Sequence, residues 1–104
     1  MKKTGTLEVF GQSGQKSNNI VIHPNDGFDL GLMSLKYDAK IYANMTPEEV
    51  ENGSSDFIAG AIHLENNCKP GTIELNVKYW TKIGKPGKIV LYYDDGKLLL
   101  AEKK

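Results

Sequence analysis

Arginine is absent from this chain of 104 residues: all thirteen basic side chains are lysines, and thirteen acidic residues balance them. The guanidinium fork is the favoured group for bidentate phosphate and guanine contacts. Its absence, with zero net charge, disfavours a nucleic-acid partner, although lysines still supply point charges. Cysteine is nearly absent too. Cys68 is the only one, so no disulfide framework exists, and an unbridged small domain fits a reducing, cytoplasmic setting. No apolar run approaches the roughly 20 residues of a membrane-spanning helix, so no membrane partner is expected. The opening MKKTG has the basic start of a secretory leader, but TGTLEVFGQSGQ follows where an apolar run of about seven residues is needed.

What is present reads as one globular domain over 1–104. Hydrophobic residues make up 39% and charged residues 25%, which is far from a disordered composition and enough for one modest core. The dominant spacing of apolar residues is two, the period of a strand. TGTLEVFG (4–11), NIVIH (19–23), FDLGLMSLKY (28–37), DAKIYANM (38–45), DFIAGAIHLE (56–65) and TIELNVKYWTKI (72–83) all read as strands. HPNDG after Ile22 reads as a turn, and GQSGQKSNN (11–19) as a polar surface loop. KIVLYYDDGKLLLAE predicts a hairpin around Asp95-Gly96, the dipeptide favoured by a two-residue type I′ turn. Small residues Ala59, Gly60 and Ala61 predict close approach by another backbone.

One helix is signalled, in TPEEVENG. Thr46 suits the N-cap, Pro47 the first turn and Glu49 the third position of a capping box, while Gly53 ends it. The expectation is therefore an all-β, mainly antiparallel domain. A sandwich or small barrel of seven or eight short strands, with one short helix near 46–52, fits the pattern.

The segment KYWTKIGKPGKIVLYYDDGKLLL (78–100) sets four aromatic rings among five lysines. Strand alternation over 72–83 places Trp80, the only tryptophan, on the polar face between Lys78 and Lys82. In the hairpin, a two-residue loop pairs Asp94 with Lys97, Tyr93 with Leu98, Tyr92 with Leu99 and Leu91 with Leu100. One face then carries Leu91, Tyr93, Leu98 and Leu100, and the other Val90, Tyr92, Leu99 and Ala101. Both are apolar, whereas a two-layer domain covers one face of each sheet, so the other needs the short helix, a loop or a partner chain.

These features predict a non-enzymatic binding or interaction module. Its site residues are Trp80, Lys78, Lys82, Tyr92 and Leu99, and its partner is a protein or an identical subunit in a homodimer. A small regulator or inhibitor of the kind phages and mobile elements encode fits the size, charge and compartment. Two alternatives are a small barrel that binds single-stranded nucleic acid and a sandwich that binds a small ligand or carbohydrate through Trp80 and the 11–19 loop.

Chemistry finds little support. GQSGQKS departs from a phosphate-binding loop, because the residue before Lys16 is Gln15 and a strand-like segment follows. His23, His63 and Cys68 have no short ligand spacing, so no metal and no cofactor is expected. Ser54, Ser55 and Asp56 lie upstream of His63, and Cys68 lies five residues after it, without any nucleophile motif, so no catalytic residue is assigned.

Overall fold

Eight strands and three short helices alternate along the chain in the computed structural model, which describes residues 1–14 and 18–103. The strands are β1 (Lys2–Lys3), β2 (Leu7–Gln12), β3 (Asn19–Ile22), β4 (Lys36–Ala43), β5 (Ile58–Leu64), β6 (Thr72–Asn76), β7 (Lys88–Asp94) and β8 (Lys97–Glu102). The helices are α1 (Pro24–Asp29), α2 (Pro47–Glu51) and α3 (Val77–Lys82). The loop expected over 11–19 begins inside β2. Its Gln15, Lys16 and Ser17 lie outside the described residues.

The strands close on themselves. The order β7–β2–β6–β3–β5–β4–β8 returns to β7 through the β7–β8 ladder, and β1 adds to β7 beside β2. Among the described residues five pairings are antiparallel and three, β2–β6, β3–β5 and β4–β8, are parallel. The mainly antiparallel small barrel is thus the architecture, and closure leaves no free edge on the ring.

Alternation explains the interior. Leu7, Ile20, Ile22, Ile41, Ile62, Leu64, Ile73, Leu75, Ile89, Leu91, Leu98 and Leu100 fill one core, each less than 5% exposed. Small residues let strands approach. At Gly60 a side chain has no room, because the carbonyl oxygen of Asn18 occupies the place of its Cβ, and the Ala61 N–H donates to that same oxygen. The approach expected of the Ala59–Ala61 run is the entry of β3 beside β5.

Two of the helices correct the strand reading. Pro24 opens α1, and His23 caps it through Nδ1, which accepts from the Asn25 N–H at 3.0 Å. What reads as a turn and a strand over 24–35 is therefore a helix and a loop, and β4 starts only at Lys36. Likewise β6 stops at Asn76, whose side-chain oxygen accepts from the Lys78 N–H at 2.8 Å and starts α3. A side-chain cap satisfies an orphan helix donor locally, which competes with strand continuation. The expected helix α2 is present with its capping box intact: Thr46 accepts from the Glu49 N–H, and Glu49 accepts from the Thr46 N–H.

The helices α1 and α3 follow the C-terminal ends of β3 and β6, antiparallel neighbours, so they plug opposite ends of the barrel. Leu30 and Leu32 enter the core after α1, and Tyr79 and Ile83 enter it from α3. Helix α2 lies outside the barrel wall.

Candidate functional site

The hairpin register expected from Asp95-Gly96 is the observed one, from Asp94↔Lys97 to Leu91↔Leu100. Both turn residues have positive φ, 44° and 80°, as the type I′ turn requires. Its two apolar faces are covered from within. Leu91, Leu98 and Leu100 line the barrel interior. On the outside, Leu99 and Tyr42 pack with Val50 of α2, and Met1, Met45, Phe57, Tyr92 and Ala101 complete this second cluster. Leu99 is fully buried and Tyr92 half-buried, so α2 takes the place that a partner chain would otherwise fill.

Trp80 does not sit on a strand face. Because α3 replaces the second half of the expected strand, the helical turn carries the indole back over β2, half-buried against the core. Its Cε3 would stand 3.2 Å from a Cβ at Gly11. The indole N–H donates to the Pro86 carbonyl at 2.9 Å, and the Lys85 ammonium lies 5.9 Å from the ring centroid. Lys78 and Lys82 are exposed on α3, as are Lys85 and Lys88 beyond it. The predicted site residues therefore divide into two places, the α3 end of the barrel and the buried wall under α2.

Apart from Phe10 on β2, which is 48% exposed, the exposed large apolar side chains lie on a different surface. Phe28 is 71% exposed, Met33 83% and Leu35 72%, all at the α1 end of the barrel. Single exposed apolar residues are ordinary; here three large ones fall between positions 28 and 35. The segment is anchored. Leu30 and Leu32 are buried at 2% and 3%, and the Gly27 carbonyl accepts from the N–H groups of both. The Tyr37 hydroxyl oxygen accepts from the Met33 N–H at 2.8 Å and the Ser34 N–H at 2.9 Å. These two backbone donors, Met33 first, pull the Tyr37 hydroxyl below its ordinary pKa. Strand alternation through FDLGLMSL sets Phe28 on the face of Leu30 and Leu32 and puts Met33 and Leu35 on the other, so it does not group the three. The missed signal is His23-Pro24, an N-cap followed by proline at the first helical position.

The outer wall also holds two connected hollows. One, of about 690 Å³, runs along β5 with Ala59, Ala61 and His63 on its floor, Lys36, Asp38 and Lys40 on the β4 side, and Asn18 and Asn19 on the β3 side. The other, of about 370 Å³, shares Asn19 and His63 and continues to Glu65, Glu74 and Gln12. His63 Nε2 is buried there without a hydrogen-bond partner. A smaller cavity of about 180 Å³ opens at the α3 end between Asp56, Tyr79 and Lys82. Burial, and then the Asp56 carboxylate, push the Tyr79 hydroxyl up to about 12.

The remaining reactive groups have structural duties. Cys68 is buried, its sulfur lies 3.5 Å from the Thr72 hydroxyl, and burial pushes its thiol up, away from the reactive thiolate. His23 caps α1, and the Ser54 hydroxyl accepts from the Asp56 N–H at 3.2 Å. Among the described residues no group of three or more His, Cys, Asp or Glu side chains is placed to hold a metal ion. Among the same residues no helix is long and apolar enough to cross a membrane. No family model matches the chain, and neither the curated proteins nor the solved structures contain a match.

Proposed function

We propose that this small all-β domain is a non-enzymatic contact module that binds a protein partner through Phe28, Met33 and Leu35. The observation that carries the reading is their exposure, 71%, 83% and 72%, against 48% for Phe10, the one other exposed large hydrophobic side chain among the described residues. The mode of contact follows from the barrel. Among the described residues every strand of the ring is paired on both sides over at least part of its length, which leaves a partner no long edge to extend and favours contact by side chains. The hydrogen bonds to Tyr37 hold part of the segment in place before binding, which lowers the ordering entropy of association. A small regulator or inhibitor that acts by contact fits this arrangement, as well as the size and zero net charge of the chain.

The α1 end is preferred to the Trp80 face and the hairpin, because the indole packs over Gly11 and Leu99 lies under α2. Photo-crosslinking in an extract of the native host tests it, with the reactive side chain placed at position 28 or 33 and, as control, at Glu48. The expected result is one discrete adduct from 28 and 33 and none from 48. It should vanish when Phe28, Met33 and Leu35 are all changed to serine in a protein that melts normally. Equal labelling from all three positions, or no adduct, overturns the reading. An adduct of twice the chain mass identifies a second copy as the partner.

A further inference from the structure

The trough along β5 has a charge pattern with a spatial period. Lys36, Asp38 and Lys40 lie on β4, opposite His63, Ala61 and Ala59 of β5. Tyr37 and Ala39, the intervening residues, pack on the core, so the three charges all face outward and all are exposed. Residues two apart on a strand stand about 6.8 Å apart, so the wall reads plus, minus, plus at that interval. None of the three is ion-paired with another: the only salt bridge among the described residues lies elsewhere, at Glu51. Lys40 is steadied instead by the Phe57 ring, 4.9 Å from its ammonium to the centroid.

The floor beside this wall is low. Ala59 and Ala61 project only methyl groups, and Asn18 closes the far side, where its side-chain amide donates to the Ala59 carbonyl at 3.1 Å. The result is an open channel of about 690 Å³ that runs parallel to a strand. We infer that this channel binds an extended peptide segment whose side chains at every second position read acidic, basic, acidic. An extended peptide repeats its side chains at the same 6.8 Å on one face, so one laid along β4 brings each charge opposite its complement. A polyanion such as single-stranded nucleic acid meets Asp38 at the centre of the row and is disfavoured there. The site shares no residue with the Phe28, Met33 and Leu35 surface and stands independently of it.

The test uses two fluorescein-labelled peptides read by anisotropy at low ionic strength. One alternates Glu-Ser-Lys-Ser-Glu, and the other has the charges reversed, Lys-Ser-Glu-Ser-Lys. The protein as it stands should prefer the first by about tenfold. The variant carrying Lys36→Glu, Asp38→Lys and Lys40→Glu should prefer the second by a similar factor. Asp38→Lys alone, a single exposed change that keeps the fold, should weaken binding of the first peptide about tenfold. Retention of the original preference by the charge-swapped protein overturns the inference, as does the absence of binding by either peptide. Tighter binding of an oligothymidylate than of the first peptide overturns it in favour of nucleic acid.

Discussion

Trp80 lies over Gly11 so closely that a Cβ there would meet its Cε3 at 3.2 Å. The glycine is the seat of the indole, and the Pro86 carbonyl is its tether. Gly11→Val places branched carbon where the ring now packs. The expected outcome is a displaced indole, seen as red-shifted emission, with a loss of ~1–3 kcal/mol in urea unfolding.

Leu99 belongs to a buried cluster outside the barrel, between Tyr42 and Val50. Truncation there empties space that α2 cannot readily fill. Leu99→Ala should cost ~2–5 kcal/mol. Leu99→Lys should leave the domain largely unfolded by circular dichroism, since it buries an unpaired ammonium. A Leu99→Lys protein that stays folded and changes only its oligomeric state would return the hairpin to the list of contact surfaces.

Tyr79 supplies a dependence on alkaline pH. A tyrosine in the unfolded chain ionises near 10, whereas burial and then Asp56 push Tyr79 up to about 12 in the fold. Its raised value favours the neutral hydroxyl. The associated stability is whole below pH 10 and is lost as the pH climbs from 10 toward 12. Urea titrations at pH 9 and pH 11 should therefore show a larger drop for the native sequence than for Tyr79→Phe.

The parts of this architecture that local chemistry dictates were legible in the sequence. Asp95-Gly96 set the hairpin register residue for residue, and Thr46 with Glu49 announced α2. Both depend on contacts within a few residues. Helix α3 was masked because Leu75, Val77 and Tyr79 continue the period of two from Ile73, and the stop at Asn76 depends on one side-chain hydrogen bond. The neighbours of each strand were not legible at all. Alternation says which face is apolar but not that β4 lies between β5 and β8, since parallel partners share no short turn. The exposed residues were illegible as a group too: read as a strand, 28–37 sets Phe28 opposite Met33 and Leu35, and they come to one end of the barrel only because α1 and a loop replace that strand.

Closure of the ring by β8 has a consequence for biosynthesis. Pairing β8 with both β4 and β7 is the final stitch, and it uses residues that leave the ribosome after every other strand. Until 97–102 emerge, the nascent chain carries two raw borders, ready templates for a neighbouring polypeptide. A chain cut short before Lys97 should therefore precipitate rather than persist as a smaller soluble domain.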